Sequence, residues 1–357
     1  MTSSNNLLVL NLGVDTDDTS LGFTQTWIEE LNKKYTNIDV ITMRLGKNGL
    51  DNKIGVHFIN TNEKKLSKIK QLVKIHKTFK SVLIIQDYDH CFAHMSPLLF
   101  IVGWIHLRRR RIKTTLWFTH PGPRFGLKKL ILLIATLLAN NVVTASANSF
   151  PYNVKKLEVI GHGIDFSRFE RVERKKIKNF LYLGRISKSK HVDVIVNNFI
   201  KFNNSNGNQF SLTLIGGPLN VKDNIYLDSI KKIIGSNSGI TIAGKIPHSE
   251  LNRLMKEYDC NINLAGTGFF DKAVLETLHA GLINICYNDD YKQFYSEAQQ
   301  EKLFIKNDLN ELEEIFEYLI KLSNEEIQSI IDYSSSNLMK HSLQTMPNRL
   351  SKVFSKK

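Results

Sequence analysis

The pattern that most limits how this chain can fold is an alternation of short apolar runs with helical-period stretches, broken once and then resumed. Before the break, Leu7–Leu12, Asp39–Met43, Val82–Gln86, Thr114–Thr119 and Asn141–Ala145 read as buried strands, with helical patterns at about 20–34, 63–78, 94–109 and 125–139 between them. Strand–helix–strand repetition implies a parallel sheet wrapped by helices. Residues 161–178 interrupt it: Gly-His-Gly-Ile-Asp is followed by Arg-Val-Glu-Arg-Lys-Lys-Ile-Lys, a charged run with no strand pattern. The alternation restarts with strands at Asn179–Leu183, Phe210–Ile215, Ile240–Ala243, Cys260–Leu264 and Leu282–Tyr287, and helices at about 190–202, 222–234, 248–257 and 272–280. From about residue 308 the pattern is helical.

A chain of 357 residues is long for one core and comfortable for two. The expected organisation is an N-terminal Rossmann-like domain over residues 1–165, a linker at 166–178 and a C-terminal Rossmann-like domain at 179–330. A helical tail at 331–357 is expected to cross back to the first domain. Doubly wound sheets bind ligands at the carboxyl ends of their strands, so two in tandem imply a shared central cleft.

Charge narrows the partners. Lys and Arg number 48 against 34 Asp and Glu, a net charge of +14, which calls for an anionic partner. The basic residues are scattered, and no zinc-finger, RNP or helix-turn-helix signature is present, so nucleic acid is not expected. Cys91, Cys260 and Cys286 have neither metal-site nor disulfide spacing and sit beside apolar runs, so reduced thiols in a cytoplasmic setting are expected. The start of the chain has no basic n-region, and its apolar runs, Pro97–Leu107 and Leu130–Ala139 being the longest, fall short of the roughly 20 residues that span a bilayer.

Residues 266–281 carry the clearest chemistry: Gly-Thr-Gly-Phe-Phe-Asp-Lys-Ala-Val-Leu-Glu-Thr-Leu-His-Ala-Gly. A glycine-rich turn enters a short helix with Asp271 at its mouth and Glu276 one turn inside. Free N–H groups and partial positive charge at a helix start suit phosphate. A carboxylate one turn further in suits ribose hydroxyls, so a nucleoside-diphosphate site is expected. Lys272 and Glu276, four apart, could instead form an exposed pair. Arg185 and Lys190, five apart beyond a buried strand, offer two fixed cations for a diphosphate, or an ordinary solvated loop that also holds Lys188. Asp15-Thr16-Asp17 spells a metal-binding triplet, but its place at the end of the first strand fits an N-capping turn before a helix at Ser20. No metal ligand is assigned.

The second half resembles the C-terminal domain of glycosyltransferase family 4, retaining enzymes of GT-B fold, and its matching pieces come in the family's order. They are Phe180-Leu181-Tyr182-Leu183-Gly184-Arg185 with Lys190, Leu212-Thr213-Leu214-Ile215-Gly216-Gly217, Ile240-Thr241-Ile242-Ala243-Gly244-Lys245-Ile246, and residues 266–281. The first half is similar to a bacterial-type subgroup at Asp17-Asp18-Thr19-Ser20-Leu21-Gly22-Phe23, His94-Met95-Ser96-Pro97, Leu116-Trp117-Phe118-Thr119-His120 and Val159-Ile160-Gly161-His162-Gly163-Ile164-Asp165. One departure stands out. The first Glu of the family's Glu-x7-Glu pair would fall on Gly268, which resembles a subgroup with a Gly-x-x-Asp-Lys-x-x-x-Glu motif.

The resemblance implies a metal-independent hexosyltransferase that needs no cofactor and takes a UDP- or GDP-linked sugar as substrate. Arg185 and Lys190 would stabilise the leaving diphosphate, His120 would line the sugar pocket, and Glu276 would receive the ribose hydroxyls. Gly22 and Gly184 would let backbone approach the donor, Lys245 and Ile246 would belong to the base-contacting loop, and Gly268 would mark the lost carboxylate. Asp271, or the N–H groups of Phe269 and Phe270, would then hold the donor sugar's hydroxyls. The acceptor would be a glycan or lipid-linked hydroxyl. Arg108, Arg109, Arg110 and Arg111 follow one apolar run, and Lys128 and Lys129 precede another. Such clusters either meet an anionic membrane surface on its cytoplasmic face or complement a helix dipole. Two other readings remain: a non-catalytic glycosyltransferase-like partner, and a nucleotide-sugar epimerase of the same fold. A dinucleotide oxidoreductase is disfavoured, because no Gly-x-Gly-x-x-Gly follows the first strand.

Overall fold

A computed structural model describes residues 5–18, 21–123, 125–236, 239–247, 250–306 and 308–356. The chain divides into two compact units, Met1–Gly163 with Leu343–Lys357, and Ile164–Ser342. Ser20, where the first helix is expected to start, and the first residues of the helix expected at 248–257 lie outside the described residues.

The first unit holds a parallel seven-stranded sheet. Its strands are β1 (Asn6–Asn11), β2 (Asn37–Leu45), β3 (Gly55–Thr61), β4 (His90–His94), β5 (Lys113–Trp117), β6 (Asn141–Thr144) and β7 (Leu157–Val159), in the spatial order β3-β2-β1-β4-β5-β6-β7. Helices α2 (Lys68–Ile85), α3 (Pro97–Arg109) and α4 (Leu127–Leu138) pack side by side on one core with Leu8, Leu10, Cys91, Ala93 and Leu116. Strand alternation turns Phe92 and Trp117 the other way. There Trp117 meets Phe92 edge-on and Trp27 of α1 (Phe23–Asn32), whose ring lies 4.9 Å from its own.

One expected strand is a helix. Val82–Gln86 reads as a β-branched run, yet Ile75, Phe79, Val82 and Leu83 repeat at helical spacing, and α2 buries those four while it continues through Ile85. The strand that follows is the fully buried His-Cys-Phe-Ala-His of β4. Local β propensity yields here to the burial stripe set by Phe79. Strands β3 and β7, absent from the sequence reading, are the two edges of the sheet, where exposure weakens the apolar signal.

The second unit is a parallel five-stranded sheet of β8 (Asn179–Leu183), β9 (Ser211–Ile215), β10 (Ile240–Gly244), β11 (Cys260–Asn263) and β12 (Ile283–Cys286), ordered β10-β9-β8-β11-β12. Helices α5 (Val192–Ser205), α6 (Val221–Ile234), α7 (Leu251–Met255) and α8 (Lys272–His279) alternate with them. Phe180, Phe199, Phe202 and Phe316 form an aromatic core. Leu181, Leu183, Ile215, Met255 and Leu282 are buried together in a second cluster. Residues 166–178 are held to this unit by buried Phe169 and by Arg174, which donates to the carbonyls of Met255 and Lys256 at 2.8 Å.

Candidate active site

Strand order reverses between β8 and β11, which pair directly. The loops leaving two strands that run apart leave a crevice, the usual ligand site of an open parallel sheet. Gly184–Lys190 leaves β8 at this point, and the glycine-rich turn before α8 leaves β11.

Lys190 closes a 3-10 turn, Lys188–Lys190, ahead of the left-handed residue His191. Its residue exposure is only 6%, and its ammonium donates to the Asp271 carboxylate. The same carboxylate oxygen accepts Asn263 Nδ2 at 3.0 Å. The Lys190 ammonium also lies 4.9 Å from the centroid of the Phe269 ring. Asp271 stands at the N-cap position of α8 but makes no side-chain cap hydrogen bond, because its carboxylate is turned to Lys190. Its backbone N–H donates to the Tyr291 hydroxyl, which donates in turn to the Asp271 carbonyl at 3.2 Å. Burial first, and the Asp271 charge second, push the Tyr291 phenol well up, so it stays protonated.

The turn itself needs glycine. Gly268 has φ 91, a region that L side chains rarely adopt. The Phe269 N–H closes the turn on the Gly266 carbonyl at 3.1 Å, so this candidate donor is spent inside the loop. Asn288 Nδ2 fixes the Phe269 carbonyl at 2.9 Å. Phe270 is buried, with its ring stacked on Tyr291.

Glu276 is 8% exposed, so the solvated Lys272–Glu276 pair considered from spacing does not exist as such. Lys272 is half-buried, and desolvation holds its ammonium pKa well below the ordinary value, with Glu276 opposing that shift.

Gly184 and Arg185 are placed by buried Tyr182, whose hydroxyl donates to the Arg185 carbonyl at 2.6 Å. Burial, then Asp271, raise the Tyr182 phenol well above its usual range. The Arg185 side chain is exposed and walls a 480 Å³ pocket with Ser187, Ser189, Asn220, Lys222 and Tyr226. Gly216 also admits no side chain, since an added Cβ would meet the Gly184 oxygen at 1.8 Å. Lys245 is exposed and lies across Gly217, while Ile246 packs on the core that contains Leu251 and Met255.

Two candidates belong to the first unit. Gly22 is the N-cap of α1, with Asp18, Thr16 and Asp15 carbonyls crowded where a Cβ would stand. His120 is exposed beyond the carboxyl end of β5, and its Nδ1 accepts the Gly122 N–H at 3.2 Å. Asp15 of the triplet is buried and organises its loop: Asn62 donates to it at 2.8 Å, and the N–H groups of Asp17 and Lys47 at 3.1 and 3.2 Å.

The structure therefore brings Lys190, Phe269 and Asp271 into direct contact, with Glu276 one turn deeper in α8. Sequence reasoning missed the residues that hold them: Asn263, Asn288, Tyr182 and Tyr291. Of these, Asn263 alone carried a signal, as a polar residue inside the otherwise apolar stretch Cys-Asn-Ile-Asn.

The fold has solved counterparts. HepE (Alr3699) from Anabaena, in complex with UDP and glucose, is 14% identical with a TM-score of 0.75, covering 98% of this chain and 99% of its own. Sucrose-phosphate synthase from Thermosynechococcus elongatus is 12% identical with a TM-score of 0.77, covering 98% of each chain. A trehalose-6-phosphate structure from E. coli, bound with UDP-2-fluoro glucose, is 10% identical with a TM-score of 0.73, covering 99% of each. The two parallel α/β sheets are thus those of GT-B glycosyltransferase structures. No curated protein sequence matches the chain. Residues 163–335 match the family model described as glycosyl transferases group 1, so the second unit of this chain carries a glycosyl transferases group 1 domain.

Proposed function

We propose that this chain is a retaining glycosyltransferase of family 4 type, which moves a hexose from a UDP- or GDP-sugar to a hydroxyl of a glycan or lipid-linked acceptor. The observation that carries this reading is the buried Lys190–Asp271 pair at the strand-order reversal, beside a helix start whose N-cap side chain does no capping. A desolvated ammonium at a helix start, held on an internal counter-ion, suits a diphosphate. UDP or UDP-sugars in the HepE and trehalose-6-phosphate structures support the choice of donor class.

The acceptor oxygen attacks the anomeric carbon on the face from which the diphosphate leaves. The bond from carbon to the β-phosphate oxygen breaks, and that oxygen takes the acceptor's proton. No protein base is then needed. Lys190, and Arg185 turning in from its exposed position, neutralise the departing charge, a task that divalent ions perform elsewhere. Glu276 accepts the ribose hydroxyls, Gly184 lets the protein backbone approach the donor, and the loop at Lys245 and Ile246 meets the base. The residues around Gly268 and Asp271 shape the sugar pocket. The basic run Arg108–Arg111 brings the enzyme to an anionic cytoplasmic membrane face, where lipid-linked acceptors reside.

A thermal-shift screen of UDP- and GDP-sugars, followed by transfer assays with and without a chelator, tests this reading. Stabilisation by one donor class with chelator-insensitive transfer is expected. Donor binding without transfer indicates the non-catalytic partner, and conversion of the donor alone to an epimer indicates the epimerase.

A further inference from the structure

Helices α2, α3 and α4 contain no Asp or Glu. They carry Lys68, Lys70, Lys74, Lys77, Lys80, Arg108, Arg109, Lys128 and Lys129. Their carboxyl ends also expose large apolar side chains: Ile84 at 66%, Ile85 at 78% and Leu137 at 76%. Where α3 ends, a 370 Å³ pocket is lined by Trp104, Arg108, Arg111, Lys113, Thr114 and Asn140 among others. Its floor is fixed, with Thr114 N and Oγ1 both donating to Asn140 Oδ1 at 2.9 Å. Its wall is fixed too: Trp104 Nε1 donates to the Leu138 carbonyl at 3.2 Å, and the Arg108 guanidinium lies 5.3 Å over the indole. Among the described residues no carboxylate pairs with Arg108, Arg111 or Lys113, whereas neighbouring Arg110 is paired with Asp87 at 3.3 Å.

We propose that this pocket seats the phosphate of an anionic phospholipid, with Ile84, Ile85 and Leu137 entering the acyl boundary around it. Three cations without an internal counter-ion fit a lipid phosphate, and a Trp wall with exposed apolar neighbours fits the headgroup–acyl boundary rather than bulk water. The inference rests on the membrane-association part of the proposed function and deepens it: of the four consecutive arginines, Arg108 and Arg111 read the lipid, and Arg109 and Arg110 add only general charge.

The test is co-sedimentation of the full chain with phosphatidylcholine vesicles, with and without phosphatidylglycerol, at physiological salt. Binding to the anionic vesicles alone is expected. Arg108→Ala with Arg111→Ala should weaken it about thirtyfold, from about fivefold per surface arginine. Arg109→Ala with Arg110→Ala removes equal formal charge but should cost only about fivefold, because Arg110 is already paired with Asp87. Lys113→Ala gives a milder loss of about fivefold should the double variant fail to fold. Equal loss in the two arginine pairs, or a wild-type chain that ignores anionic vesicles, overturns the proposal. So does stabilisation by inorganic phosphate without vesicle binding, which would assign the pocket to a soluble anion. UDP-dependent thermal shift on the same samples reports the donor site separately, so failure of the lipid pocket and failure of the transferase reading are distinguishable.

Discussion

Replacing Asp271 by Ala should make the second unit less stable and yet more responsive to UDP. The Lys190 side chain is 7% exposed and that of Asp271 29%. Removing one partner of a buried ion pair costs about 3–5 kcal/mol, and the partial access of water to Asp271 brings the estimate nearer 2–3 kcal/mol. For a unit of this size, at about 2–4 °C per kcal/mol, the transition should fall by about 4–12 °C in calorimetry. Asp271→Asn keeps an oxygen for Asn263 Nδ2 and for the ammonium, and should lose about half as much. In the wild-type chain an arriving diphosphate shares Lys190 with Asp271; in the alanine variant it meets an uncompensated cation. The UDP-induced stabilisation, about 2.7 kcal/mol for ligand at a hundred times its Kd, should therefore be larger in the variant at equal UDP. A UDP-sugar should show a smaller increase than UDP, since the carboxylate also serves the sugar hydroxyls in the proposed site. If UDP stabilises both proteins equally, Lys190 is not the diphosphate cation. If the variant loses its response to UDP, Asp271 acts on the nucleotide directly and the counter-ion argument fails.

Arg185→Ala should leave the fold intact, because the side chain is exposed, and lower turnover about a hundredfold to a thousandfold in a transfer assay. Near-normal turnover would remove Arg185 from the mechanism. Glu276→Gln should raise the KM for a ribose-containing donor about tenfold and leave the KM for its 2′,3′-dideoxy analogue unchanged; parallel changes for both donors would mean a structural role. His90 is buried against Phe354, at a centroid distance of 3.7 Å, and burial, with Lys113 adding to it, lowers its pKa from 6.5 to about 3. The unfolded chain therefore binds this proton first, so stability is full above pH 6.5 and falls as pH drops towards 3. The loss between pH 7 and pH 5 is about 2 kcal/mol, and a His90→Phe variant should show a correspondingly flatter denaturant-unfolding profile.

The fold was legible where burial was complete. Strands β8, β11 and β12 of the second sheet are parallel-sheet runs buried on both faces, such as Phe180-Leu181-Tyr182-Leu183, and sequence places these, the less buried β9 and the partly exposed edge strand β10 to within a residue or so. Legibility failed where two periods overlapped, as at Val82–Ile85, whose β-branched run finishes a helix. It failed again at the half-exposed edge strands β3 and β7. Residues 266–281 announced a phosphate-binding turn through glycine and a helix start, both local features. What the sequence could not announce is that Asp271 faces Lys190, 81 positions away, because that pairing depends on β8 and β11 being neighbours. Tyr182 and Tyr291 were hidden for a similar reason, since a buried tyrosine looks like core until its hydroxyl partner is known.

The charge of this chain makes a related point about what composition measures. A net charge of +14 invites an anionic substrate, yet the proposed diphosphate site uses two cations, Arg185 and Lys190, and one of them already carries a carboxylate partner. Nine basic residues sit instead on α2, α3 and α4 of the other unit, helices that hold no Asp or Glu. A binding site for a small anion needs few charges, because desolvation and fixed geometry make each one strong, and extra cations would hold the product as firmly as the donor. An extended surface works the other way: each exposed cation is screened and weak, so attraction to a charged sheet of lipid comes from number. Excess charge at this scale is therefore an argument about surfaces, and mild salt should separate the two effects. Raising ionic strength should release the chain from anionic vesicles while leaving UDP-induced stabilisation of the second unit largely intact; simultaneous loss of both would place the diphosphate site among the screened charges and undo this division.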